Sequence, residues 1–178
     1  MNTPNKLTVL RMIMIPFFVV CLLTPFGSGV NKWVALGLFV IASLTDWLDG
    51  YLARRDYLVT NFGKFMDPLA DKLLVCSAMI GMVELGRLPG WIVIIIIGRE
   101  FIISGFRLVA SDNGIVIAAG WWGKIKTATQ MVMIIVLIAD LGIFSVIEQI
   151  LIYASLILTV ASLVDYLVKN KNVLSMQD

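Results

Sequence analysis

Histidine is absent from this chain, cysteine occurs only twice, and charge is scarce: 15% of its 178 residues are Asp, Glu, Lys or Arg, whereas a soluble domain carries about 25%. Each shortage excludes something. With no imidazole available, and with Cys21 and Cys76 isolated in separate apolar runs, a His/Cys zinc site is disfavoured. The two cysteines read as buried thiols and not as a disulfide. A net charge of +2 is too small to mark a nucleic-acid-binding surface. Hydrophobic residues make up 60% of the chain, which places it among integral membrane proteins.

What the chain has instead is long apolar segments. A bilayer core takes about 20 apolar residues per helix, and six stretches qualify, roughly 7–25, 33–54, 63–85, 91–110, 121–141 and 145–168. "PFGSGVNK", "RDYLVTN", "GRLPG", "SDNGIVIAAG" and the weaker "ADLG" separate them. Segments of this length without period-two alternation are helices, because only helices or closed barrels satisfy their backbone in lipid. "CLLTPFGSG" offers no small-residue cleavage site, so the first span is expected to be retained. Ahead of it, "NTPNKLTVLR" suggests a short interfacial helix with Thr3 as N-cap and Pro4 in its first turn. The expected fold is therefore an all-α integral membrane domain over residues 1–178, with six transmembrane helices and a short N-terminal interfacial helix. Of the 14 Lys and Arg, only Lys32 and Arg87 fall on the side opposite the rest, which puts both termini in the cytoplasm of a multi-pass cell-membrane protein. Trp33 and Trp91 then begin their spans at the outer interface.

Against this background four acids are out of place. An Asp at the centre of a membrane helix is disfavoured by roughly 2.5 to 3.5 kcal/mol, yet Asp46 and Asp49 lie near the end of the second span and Asp67 and Asp71 near the start of the third. At about 1.5 Å per residue, Asp49 stands about 9 Å in from Arg55, and Asp67 about 9 Å in from Asn61, so the two pairs share one depth. Spacings of three and four put each pair on one helix face. Four carboxylates converging in a poorly hydrated pocket repel one another and need a cation. Two divalent ions balance them, and an all-oxygen donor set suits Mg²⁺ or Mn²⁺. A structural charge cluster, or a proton or sodium path, is the alternative, although a path needs a relay that the outer half of the membrane does not offer.

Asp46, Asp49, Gly50, Ala53, Arg54, Gly63, Asp67 and Asp71 reproduce D-x-x-D-G-x-x-A-R-x8-G-x3-D-x3-D without departure. In these residues the chain resembles the CDP-alcohol phosphotransferases, and the resemblance extends to the six-helix layout. Within that family "GREFIISGFRLVA" and "GWWGKIKTATQ" look most like the branch that joins CDP-diacylglycerol to sn-glycerol 3-phosphate. The resemblance implies an enzyme of phospholipid biosynthesis that releases CMP, with Asp46, Asp49 and Asp67 as principal metal ligands. Asp71 is implied as general base and additional ligand, and the assembly implied is a homodimer. It further implies that Asn5, Thr8 and Arg11 close over the nucleotide and that Gly50, Ala53, Arg54 and Gly63 bind the CDP-lipid. Small side chains at Gly50 and Ala53 admit a nucleotide to the backbone, though close helix packing asks for the same residues.

A phosphorylated acceptor also needs an anion pocket. Arg99 and Arg107 on the fourth span and Lys124 and Lys126 at the start of the fifth are the candidates, with Arg107 and Lys126 foremost. Positive-inside topology alone accounts for Lys124 and Lys126 equally well, and Glu100 is a ready ion-pair partner for Arg99. Sister enzymes using inositol phosphate or serine, and from another class a cation transporter or a structural membrane subunit, remain the competing readings.

Overall fold

The computed structural model describes the backbone of residues 3–24, 30–55, 61–112, 120–142 and 145–170, and the side chains of 6–24, 30–46, 66, 68–111, 120–142 and 145–170. Six helices and no strand occur among the described residues: α1 (Thr3–Leu23), α2 (Val30–Arg55), α3 (Asn61–Glu84), α4 (Gly90–Asp112), α5 (Trp121–Ala139) and α6 (Ser145–Lys169). They coincide with the six apolar stretches.

One expectation is corrected. The N-terminal segment is not a separate interfacial helix, because α1 runs unbroken from Thr3 to Leu23 and carries Pro16 inside it. Pro4 lies in its first turn, where a missing N–H costs nothing, and Arg11 turns inward to a partner instead of marking a membrane boundary.

The helix ends follow local chemistry. In "ELGRLPG" α3 stops in a Schellman motif: Arg87 N donates to Met82 O at 2.9 Å, Gly86 N donates to Val83 O at 2.9 Å, and Gly86 takes a φ of +69°. Pro89 then opens α4, its carbonyl accepting from Ile92 N at 3.1 Å. Beyond α5, Asp140 and Gly142 both adopt positive φ, at 45° and 67°. The "ADLG" segment thus breaks the helix between α5 and α6.

Two compact units divide the chain, Met1–Arg87 with Leu137–Asp140, and Leu88–Val136 with Leu141–Asp178. In the first, α1 packs on α2 and α3, and α2 packs on α3. Its core is built from Ile15, Phe18, Phe39, Leu74 and Met82 with the small Ala35, Ala42, Ala70 and Ala78 between them, which lets the helices approach closely. Phe18 and Phe39 stack at a tilt with centroids 5.7 Å apart. At one end of this unit Arg87 pairs with Asp140 at 2.8 Å, and Lys32 Nζ donates to the Asp140 carbonyl at 3.2 Å. In the second unit α4 packs on α6, while Lys126 of α5 reaches Glu100 of α4.

Polarity is distributed inside out in both units. The outward faces are Leu10, Ile13, Phe17 and Val20 on α1, and Val146, Ile150, Ile157 and Val164 on α6, whereas Thr8, Arg11, Lys126, Gln130, Ser155 and Thr159 are buried. Water would not sustain that arrangement; lipid does. α1 from Lys6, α5 and α6 are long and apolar enough to cross a membrane, and the chain is a membrane protein. Cys21 and Cys76 form no disulfide and are half-buried where full burial was expected. Trp33 and Trp91 are 51% and 53% exposed, as interfacial residues would be.

Candidate active site

The helical course of α2 through Asp46 and Asp49, and of α3 through Asp67 and Asp71, makes the inferred face-sharing real. At about 100° per residue, Asp46 and Asp49 are about 60° apart around their axis, and Asp67 and Asp71 about 40°. Because α2 ends at Arg55 and α3 begins at Asn61, each pair lies the same number of turns from its helix end. Asp46 and Asp71 are half-buried. The side chains of Asp49 and Asp67 lie outside the described residues, as do those of Asn5, Gly50, Ala53, Arg54 and Gly63, although all seven stand on α1, α2 or α3. Among the described residues no three potential ligands gather.

Asp46 already has a cation beside it. Arg11 of α1 is fully buried, donating from Nη1 to Asp46 Oδ1 at 2.5 Å and from Nε to the Ala42 carbonyl at 3.2 Å. Thr8, one turn earlier on the same face, is also fully buried. Of the α1 residues expected to close over a nucleotide, Arg11 is therefore integral to the α1–α2 packing, and it holds the first acid in place. An oxygen donor set, with Asp46 held in place by a bound guanidinium, suits a hard divalent ion.

The second unit holds a separate basic cluster. Glu100 Oε1 accepts from Arg99 Nη1 at 2.9 Å and also from Lys126 Nζ. Arg99 is 9% exposed and Lys126 2%, so two cations sit out of water beside a carboxylate that is 19% exposed. Arg99 Nη2 lies 3.7 Å from where a Cβ on Gly123 would stand, which places the first turn of α5 against it. Lys124 and Lys126, two residues apart and so on opposite faces of α5, separate in role: Lys124 is exposed and Lys126 buried. Arg107 is exposed and stays out of the cluster, its guanidinium 5.7 Å from the Tyr166 ring centroid, in cation–π range. Tyr166 in turn meets Phe106 edge-on with centroids 5.6 Å apart. Arg99 and Lys126 are brought together; Arg107 and Lys124 are not.

The sequence model of one family, CDP-alcohol phosphatidyltransferase, matches residues 1–161. The chain belongs to the CDP-alcohol phosphatidyltransferase family. Among curated relatives, the CDP-diacylglycerol–glycerol-3-phosphate 3-phosphatidyltransferase of Bacillus subtilis is 49% identical over 143 residues, covering 75% of this chain and 74% of its own. The enzyme of the same name from Haemophilus influenzae is 42% identical over 172 residues, covering 93% of this chain and 91% of its own. A probable phosphatidylglycerophosphate synthase of Mycobacterium tuberculosis is 40% identical over 172 residues, covering 94% of this chain and 81% of its own. The family match spans both the acid-bearing helices and the helices of the basic cluster.

Two participants escape a reading of this CDP-alcohol phosphatidyltransferase sequence by pattern. Glu100 reads as a partner for its neighbour Arg99, and only the fold shows that it also receives Lys126. Tyr166 carries a faint signal, as the last of Ser155, Thr159, Ser162 and Tyr166, a polar stripe at helical spacing in an otherwise apolar α6.

Proposed function

We propose that this protein transfers the phosphatidyl group of CDP-diacylglycerol to sn-glycerol 3-phosphate, giving phosphatidylglycerol phosphate and CMP. The observation that carries the reading is the complete acidic signature on two packed helices of a chain 49% identical to an enzyme of that name. Asp46, Asp49 and Asp67, with Asp71 beside them, would hold two divalent ions, Mg²⁺ or Mn²⁺. Such ions, when bound, supply positive charge to the diphosphate and to the departing CMP. Asp71 accepts the proton of the acceptor hydroxyl. The hydroxyl oxygen forms a bond to the phosphorus that carries the lipid, and the bond from that phosphorus to CMP breaks, its electron pair leaving with CMP. Gly50, Ala53, Arg54 and Gly63, and Asn5 and Thr8 on α1, line the nucleotide's approach, with Arg11 keeping Asp46 in position. Arg99 and Lys126 take the acceptor's phosphate, and Arg107 and Lys124 add charge at its entrance. All six helices cross the bilayer, both termini face the cytoplasm, and the protein works as a homodimer in the cell membrane. The acids then stand where a lipid headgroup and a soluble acceptor meet.

The test is purified protein in nanodiscs given CDP-diacylglycerol, glycerol 3-phosphate and Mg²⁺, with lipid product read by mass. Product of phosphatidylglycerol phosphate mass and CMP release only with acceptor present are expected. A panel containing inositol phosphate and serine separates the sister chemistries. Full activity in excess chelator removes the ions from the reading, and ion flux in proteoliposomes without any CDP-lipid replaces it with transport.

A further inference from the structure

We propose that Glu100 is a positioning residue for the acceptor's phosphate: its carboxylate gathers Arg99 and Lys126 into one anion site and presents the unused edge of the Arg99 guanidinium to a phosphate monoester. The proposal rests on the reading of Arg99 and Lys126 as the acceptor site and adds how that site is assembled.

Two buried cations on different helices repel each other, and each loses rotamer freedom when held in one geometry. Something must offset both effects. Glu100 does so with a single atom, since Oε1 receives Arg99 Nη1 and Lys126 Nζ together. The bond to Arg99 occupies only one corner of the guanidinium. Arg99 Nε is buried and has no hydrogen-bond partner among the described residues. A buried donor left in that condition is costly relative to one that is satisfied, so the atom is open to a group that arrives. The Nε–Nη2 edge is the one that grips two oxygens of a phosphate in parallel, and Nη2 lies beside Gly123, where there is no side chain to obstruct it. With two positive charges against one negative in the trio, a dianionic phosphate monoester is a better occupant than a neutral alcohol. Arg99 and Lys126, held together by Glu100, thereby favour phosphorylated acceptors.

Steady-state kinetics of Glu100→Gln, Glu100→Asp, Arg99→Gln and Lys126→Gln, with both substrates varied and the Tm recorded, test this. Glu100→Gln should raise the KM for glycerol 3-phosphate about tenfold or more while the KM for CDP-diacylglycerol stays within about twofold. Glu100→Asp should recover part of the loss, because the charge returns one methylene short. If Arg99→Gln and Lys126→Gln leave the glycerol 3-phosphate KM unchanged, the cluster is not the acceptor site, and the underlying reading falls. If those two raise it and Glu100→Gln does not, only the role of Glu100 falls. A Glu100→Gln protein that loses Tm and kcat with the ratio of the two KM values unaltered makes Glu100 a structural ion-pair partner and overturns the proposal. Should Glu100→Gln not fold, Glu100→Asp is judged by the same ratio.

Discussion

Arg11 is a charged side chain with no exposed surface, in a helix that is apolar throughout from Met12 to Leu23. It is held by Asp46 and by the Ala42 carbonyl, and those two bonds tie α1 to α2 beside the first acid. Arg11→Met should cost about 2 kcal/mol, the worth of a hydrogen bond to a charged group, read as a lower Tm in detergent, and should weaken Mg²⁺ binding measured by calorimetry. An unchanged Tm would show that the pair contributes nothing to packing. Asp71 is half-buried on α3, and the proposed function makes it the base. Asp71→Asn keeps the size of the side chain but cannot take up a proton, so turnover should vanish while CDP-diacylglycerol binding survives; undiminished turnover removes Asp71 as the base. The four acids were legible because an Asp in an apolar run is anomalous by itself, and spacings of three and four already state which share a face. The partners of Arg11 and Lys126 were not. Asp46 lies 35 residues from Arg11 and Glu100 lies 26 from Lys126, and periodicity within one helix does not say which neighbour that helix meets.

Helix extents were legible for the same physical reason that the chain needs a membrane: apolar runs of bilayer length are bounded by Gly, Pro and polar turn residues, and α2 to α6 begin and end close to those marks. The separate N-terminal helix failed because Lys6 and Arg11 look like interface charges in sequence, yet Arg11 finds its partner inside the fold. α6 shows what one element does with polar residues in such a setting. Ser155, Thr159, Ser162 and Tyr166 form its buried stripe. Thr159 Oγ1 donates to the Ser155 carbonyl at 2.6 Å and Ser162 Oγ to the Thr159 carbonyl at 3.0 Å, satisfying themselves within the helix. Ser155 Oγ has no partner among the described residues and is fully buried. Ser155→Ala should therefore raise stability by about 1 kcal/mol, since no bond is lost and an unsatisfied buried hydroxyl is removed. Ser155→Leu should cost about 1 to 3 kcal/mol by overpacking the α6 face. Thermal unfolding in one detergent compares the two, and a loss above about 2 kcal/mol in Ser155→Ala would reveal a bond to the hydroxyl.

At the scale of the whole molecule, the distribution of charge ties topology to chemistry. Membrane helices place cations on the cytoplasmic side, and a transferase acting between a bilayer lipid and a soluble phosphate ester needs them there as well, so one asymmetry serves orientation and substrate capture together. α6 offers a direct measurement. Its 25 residues span about 37 Å at 1.5 Å each, longer than the roughly 30 Å hydrocarbon core, and it begins at the exposed Ser145 and ends at Lys169, which is exposed and pairs with Asp165. With Cys21 and Cys76 replaced by Ala, Ser145→Cys and Lys169→Cys should react with a membrane-impermeant maleimide from opposite sides. Ser145→Cys should label in intact cells and Lys169→Cys only after permeabilisation. Labelling of both from one side would mean that α6 does not cross the membrane. Labelling from opposite sides in the reverse order would keep the span but put the basic cluster outside, away from any cytoplasmic supply of glycerol 3-phosphate.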